Sequence, residues 1–221
     1  AFPGVVGPTA AGETSTRAMA TGLVRPDAGA ARGLGVDIWQ RGPEAKRMIG
    51  NLGDGGDLDD RLTGEQLITF SGLLYGLDRD TVRDRATDLL RLLDLEAAAS
   101  MVVADYSAGM TKKIALAAAL VHSPRLLVLD EPFESVDPVS AANIRDILEG
   151  FVAGGGTVVV SSHSMDLVER MCDRVAIVAG GRVLAAGTLD EVRGDGDLES
   201  RFIELIGGRR RAEHPSWLQS S

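Results

Sequence analysis

An α/β fold is what this sequence predicts, built on a mostly parallel sheet flanked by helices and carrying an inserted α-helical subdomain. Three observations lead there. Short apolar runs alternate with amphipathic helical stretches, the chain order of parallel strand–helix–strand units. The runs LLVLD (126–130), TVVVSS (157–162) and RVAIVA (174–179) lack strict polar alternation, as strands covered on both faces do. The middle of the chain changes character and reads as helix.

Taken in order, FPGVVG (2–7) is a candidate strand and ETSTRAMATGL (13–23) a candidate helix, with a glycine-bearing turn between them. The glycine- and aspartate-rich stretch GDGGDLDD (53–60) reads as a flexible joint into the helical insertion. There, Thr63 and Gln66 form a capping box that opens a helix to about residue 75. Asp80 is expected to cap a second helix, whose Val82, Ala86, Leu89, Leu90 and Leu93 share one face. Ser107 is a plausible N-cap for a helix containing TKKIALAAALVH (111–122). A helix over 138–151, closed by AGGGT, connects the first two apolar runs, and a shorter one over 165–172 joins the second and third.

Composition narrows the function classes. The chain has 221 residues, 44% of them hydrophobic, enough for one good core or one core with a smaller subdomain. Its 23 basic and 32 acidic residues give a net charge of −9, which argues against a nucleic-acid backbone as the main partner. The one basic cluster, Arg209 to Arg211, opens a polar tail that reads as a solvated terminus. Cys172 is the only cysteine, so no intrachain disulfide forms and a reducing compartment is expected. No apolar run approaches the roughly 20 residues of a membrane span, so any membrane role is expected to be peripheral.

The residues that carry chemistry lie at strand ends. Gly7, Gly12 and Thr14 fit the phosphate-loop pattern GxxxxGK[ST], with Glu13 in the lysine position. Between a strand and a helix, such a turn presents backbone N–H groups and a positive helix end to an anion, and Thr14 stands where a hydroxyl binds Mg²⁺. LLVLDE delivers Asp130 and Glu131 at a strand's C-terminal end, where an Asp holds Mg²⁺ through water and the next carboxylate orients the attacking water. His163 follows TVVVSS at an equivalent place, within reach of a γ-phosphate. Each has a plainer reading: a tight turn, a pair of solvated or capping acids, a structural histidine.

The assembled order of these motifs resembles the nucleotide-binding subunit of ATP-binding-cassette (ABC) transporters, a P-loop NTPase-type fold, from residue 1 to about residue 208. Gly7, Pro8, Thr9, Ala10, Ala11, Gly12, Glu13, Thr14 and Ser15 resemble Walker A, and Asp54 takes the Q-loop position. Tyr106 to Met110 resemble the signature, with Ser107, Gly109 and Met110 as its nucleotide contacts. Leu126 to Asp130 resemble Walker B, Ser135 to Asp137 the D-loop and His163 the H-loop. The wording LLVLDEPFESVDP with GRVLAAGTLDEV is most similar to exporters whose ATPases pair with separate ABC-2-type permeases.

What the resemblance implies is a RecA-like ATPase core over 1–52 and 105–208, a helical subdomain over 53–104 and a polar tail over 209–221. It implies ATP and Mg²⁺ as cofactors, with Thr14, Asp130 and Asp54 at the metal and Glu131 and His163 as catalytic residues. It further implies a homo- or heterodimer of ATPase subunits, a membrane permease partner and a cytoplasmic location on the inner face of the membrane. Five positions depart from the family pattern: Glu13 for the lysine, Thr9-Ala10 for Asn-Gly, Ala108 for the signature's first glycine and Asp54 for glutamine. The family's strands and adenine-stacking aromatic ahead of Walker A have no counterpart in the six residues before Gly7.

A charge reversal about 4 Å from a phosphate is worth roughly 4 kcal/mol at an effective dielectric near 20, so Glu13 is expected to weaken ATP binding by orders of magnitude. Arg17, four residues on in the acid-then-base order, is the expected partner of Glu13. Two functions therefore stand: an ATP-hydrolysing export subunit, and a non-hydrolysing partner or scaffold subunit that docks on a permease or complements another ATPase chain. A non-transport ABC ATPase acting on DNA or ribosomes fits the acidic surface less well.

Overall fold

A computed structural model describes residues 1–8, 13–53 and 58–207. In chain order the elements are β1 (Pro3–Val6), α1 (Glu13–Ala20), β2 (Arg32–Gly33), β3 (Val36–Asp37), α2 (Gly42–Met48), β4 (Ile49–Leu52), α3 (Gly64–Leu74), α4 (Arg79–Leu92), α5 (Ala108–Leu120) and β5 (Leu126–Asp130). They continue with α6 (Pro138–Ala153), β6 (Thr157–Ser161), α7 (Met165–Met171), β7 (Arg174–Ala179), β8 (Arg182–Thr188), α8 (Leu189–Arg193) and α9 (Leu198–Leu205).

The main sheet has the order β4-β5-β6-β1-β7-β8, and every neighbouring pair is parallel except β7 and β8. β1 is thus inserted between β6 and β7, with Gly4 opposite Val160 on one side and Val175 on the other. The parallel order puts the C-terminal ends of β5, β6 and β1 side by side on one edge, the usual ligand-binding edge of such a sheet. The β7–β8 turn is made by Gly180 and Gly181, both at positive φ (57° and 71°), as a two-residue hairpin with right-handed strand twist requires.

Burial explains why these runs are strands. Leu127, Leu129, Val158 and Ile177 are at most 1% exposed, and Ile114, Leu116, Ile144 and Leu148 on α5 and α6 cover them. Each such side chain contributes about 1.5–3 kcal/mol when fully buried. The alanine-rich α5 lies so close to β4 that Ala119 O occupies the space a Cβ on Gly50 would need. Leu67, Ile68, Ala86, Leu90 and Leu93, on or just after α3 and α4, join the same buried cluster. Tyr75 stacks on His122, with ring centroids 3.6 Å apart, tying the end of α3 to the segment after α5.

The caps follow the sequence with one correction. Thr63 and Gln66 make the reciprocal capping box, Ser107 accepts from Met110 N, Asp137 caps α6 and Ser164 caps α7. α4, however, is capped by Asp78 and not Asp80, because Asp78 accepts from both the backbone N–H and the hydroxyl of Thr81. Asp80 lies inside the first turn, where its charge still favours the helix N-terminus. The joint expected at 53–60 falls partly, and the tail at 209–221 wholly, outside the described residues.

Candidate functional site

β5 ends at Asp130 with Glu131 next, the neighbouring β6 ends at Ser161 with Ser162 and His163 next, and Gly7 follows β1. Backbone bonds lock the three ends together: Glu131 N–H donates to Ser161 O and Ser162 N–H donates to Val5 O, each at 3.2 Å. The chain turns sharply after β5, with Glu131 at a φ of 42°. A side chain held in that left-handed region stores strain that the surrounding bonds must offset.

Two groups of side chains fill this edge, and a third lies at the start of α5. His163 Nε2 lies 3.4 Å from Glu131 Oε1, and His163 Nδ1 lies 3.3 Å from Gly7 O. A carbonyl oxygen only accepts, so Nδ1 carries a proton and Nε2 is turned toward the carboxylate. Burial is the largest influence on Glu131 and raises its pKa above the ordinary carboxylate value, although the nearby His163 pulls it back down. Ser162 Oγ donates to Glu131 Oε2 at 3.4 Å.

The second group centres on Asp130. Its Oδ2 is 2.6 Å from Arg17 Nη2 and its Oδ1 accepts from Ser161 Oγ. Both charged side chains are largely withdrawn from water, at 14% and 15% exposure. Arg17 is one helical turn into α1, so the helix that follows the glycine-bearing turn is tied directly to the β5 terminus. Its Nε is buried and has no hydrogen-bond partner among the described residues.

The third group lies at the start of α5. Ser107 and Ala108 are exposed, whereas Gly109 is buried, its missing Cβ leaving room for Asp137 Oδ2 and Ser140 Oγ about 3.0 Å from where that atom would stand. The signature-like helix start and the cap of α6 are therefore in contact within one chain, and Met110 is half-buried behind them.

Among the residues expected from the sequence, Gly7, Asp130, Glu131 and His163 come together at one edge, and Ser107, Gly109 and Met110 lie at a helix start. Thr9, Ala10, Ala11, Gly12 and Asp54 fall outside the described residues. Glu13, Thr14 and Ser15 open α1, and the side chains of Glu13 and Thr14 are not described. The partner shown for Arg17 is Asp130; the pairing with Glu13 expected from the spacing rests on a side chain that is not described. Arg17, Ser161 and Ser162 were missed as members of the site. The sequence carried no local signal for Arg17, because its partner Asp130 is brought to it only by the packing of α1 against the end of β5.

Asp130 meets Arg17 through Oδ2 and Ser161 through Oδ1, and a Mg²⁺ held through water would share this carboxylate with both.

Comparison with known proteins supplies the family. A match to the ABC transporter family covers residues 2–134. The daunorubicin resistance ATP-binding protein DrrA3 of Streptomyces coeruleorubidus is 36% identical over 87% of this chain, which spans 61% of that relative's length. The linearmycin resistance ATP-binding protein LnrL of Bacillus subtilis is 35% identical over 84% of this chain, which spans 60% of it. A solved ATP-binding subunit of an ABC transporter superposes with a TM-score of 0.84 at 28% identity, covering 93% of this chain and 88% of that one. A chain similar in sequence, topology and motif order to these proteins belongs to the ABC transporter family, with its P-loop NTPase-type fold.

Proposed function

We propose that this chain is the ATP-binding subunit of an ABC exporter, working with a separate membrane permease and a second ATPase subunit. The observation that carries the reading is the cluster of Glu131, His163 and Gly7 at the ends of β5, β6 and β1. The names of the relatives, ATP-binding proteins of drug resistance, support the exporter class. Exposed Phe70, Leu73 and Leu74 on α3 are the kind of apolar surface a partner covers. No helix among the described residues is long and apolar enough to cross a membrane, so the transport path would belong to the permease. A cytoplasmic place on the membrane's inner face follows from that pairing.

In this reading Glu131 accepts a proton from the water that attacks the terminal phosphate. Burial raises its pKa and so makes it the stronger base, while His163, oriented by its bond to Gly7 O, holds the carboxylate. Thr14 and Ser15, at the first turn of α1, would lie beside the phosphates. Glu13 opposes the same phosphates and lowers triphosphate affinity at this chain's own loop.

The engagement of Asp130 by Arg17 favours a second reading, in which the chain does not hydrolyse ATP itself. It would then offer exposed Ser107 and Ala108 to nucleotide held by a partner ATPase. Phosphate release in vesicles carrying an ABC-2-type permease separates the two. Release by this chain that disappears in Glu131→Gln supports the first reading. Release that requires a partner ATPase and survives Glu131→Gln supports the second.

A further inference from the structure

We propose that Ser162 is a positioning residue for hydrolysis, a buried hydroxyl that fixes the direction in which the Glu131 carboxylate points. The inference rests on the hydrolysing reading above and deepens it. Glu131 leaves β5 at a φ of 42°, so its long side chain starts from a strained turn and has several torsions still to be fixed. Two neighbours hold it, one on each oxygen. His163 Nε2 stands 3.4 Å from Oε1, and Ser162 Oγ donates to Oε2, also at 3.4 Å. A carboxylate held at both oxygens has its plane defined, which a single contact at Oε1 would leave free to turn.

The serine is itself firmly placed. Ser164 N–H donates to Ser162 Oγ at 3.1 Å, so the hydroxyl accepts on one side and its single proton is left for Glu131. Ser162 is 2% exposed, which withdraws that hydroxyl from bulk solvent. Its backbone N–H is bonded to Val5 O, and Ser164 Oγ caps α7 by accepting from Leu167 N–H at 3.3 Å. The start of α7 is thereby bolted to Glu131 through two serines. The preceding residue does the same for the other acid, since Ser161 Oγ donates to Asp130 Oδ1. A base that takes a proton from water must lie on the water's line of approach, and a misplacement of about 1 Å costs about a hundredfold in rate. Catalytic contacts as long as 3.4 Å shorten once substrate is in place.

The test is phosphate release against ATP concentration, in vesicles carrying an ABC-2-type permease with this chain as the sole ATPase. Wild type is compared with Ser162→Ala, Ser162→Cys, Ser162→Thr and, as reference, Glu131→Gln. Thermal unfolding of each variant verifies that it is folded. Ser162→Cys matches serine closely in volume and supplies the measurement should Ser162→Ala not fold. Ser162→Ala and Ser162→Cys, which lack the hydroxyl, are expected to lose about tenfold or more in kcat with KM for ATP unchanged within about twofold. Ser162→Thr keeps the hydroxyl and is expected to recover kcat to within about threefold of wild type. A serine that merely supported the fold would not separate kcat from KM in this way.

A kcat within about twofold of wild type in the folded variants without the hydroxyl overturns the inference and leaves the hydrolysing reading intact. A change confined to KM overturns it in the same way, and so does a folded Ser162→Thr as slow as Ser162→Ala. Wild-type release that survives Glu131→Gln, or no release by wild type, removes the hydrolysing reading and the inference together.

Discussion

Breaking the Arg17–Asp130 pair one side at a time measures how firmly α1 is anchored to the end of β5. The perturbation is a double-mutant cycle of Arg17→Ala, Asp130→Ala and the two combined. Exposed ion pairs couple by about 0–1 kcal/mol, whereas removing one partner of a buried pair costs about 3–5 kcal/mol. At 14% and 15% exposure and 2.6 Å separation, this pair lies near the buried limit. Asp130→Ala also strands Ser161 Oγ and leaves Arg17 with two unsatisfied nitrogens. We therefore expect each single variant to lose about 2–3 kcal/mol and the double variant to lose little more, giving a coupling of about 2 kcal/mol. Urea unfolding followed by circular dichroism reads this out. With a slope near 3 kcal/mol/M, each single variant should unfold about 1 M earlier. A coupling below about 0.5 kcal/mol, the value of a solvated pair, would refute the reasoning.

Two further predictions concern titratable groups. Because Glu131 has a raised pKa in the folded protein, its stabilising contribution is complete below the unfolded value of 4.5 and lost as pH rises through the folded value. Glu131→Gln should therefore melt higher than wild type near neutral pH, with the difference vanishing in acid; a lower midpoint at neutral pH would contradict the burial argument. Cys172, 6% exposed and packed under Gly4, has its thiol pushed up to about 12, mainly by burial. Iodoacetamide near neutral pH should alkylate it about a thousandfold more slowly in the native than in the urea-unfolded protein. Comparable rates in the two states would show that α7 does not seal this thiol.

What the sequence made legible was local. The capping box at Thr63, the N-cap at Ser107 and the apolar runs LLVLD and RVAIVA are settled by neighbours within a few residues, and the structure has them where periodicity and capping chemistry put them. Asp78 and Asp80 are both good caps by type, and only the added hydroxyl of Thr81 decides between them. β4, with its sequence IGNL, gives a weak strand signal, because Gly50 is there to admit the backbone of α5 and not to form a strand. The insertion of β1 between β6 and β7 depends on crossovers that no local pattern records.

The candidate site divides the same way. Asp130, Glu131 and His163 announced themselves as polar residues ending apolar runs. The bond between Arg17 and Asp130 joins residues far apart in the chain, a pairing that no local pattern records.

The central claim is that the ends of β1, β5 and β6 form the phosphate pocket of this ABC transporter family member. Amide hydrogen exchange on the full chain, with and without saturating ATP, tests it most directly. The account predicts that ATP slows exchange in the peptides covering the start of α1, Asp130 to Phe133 and Ser161 to Met165, and leaves the faces of α4 and α6 unchanged. Slowing confined to α4 and α6, or absent throughout at saturating ATP, would contradict it.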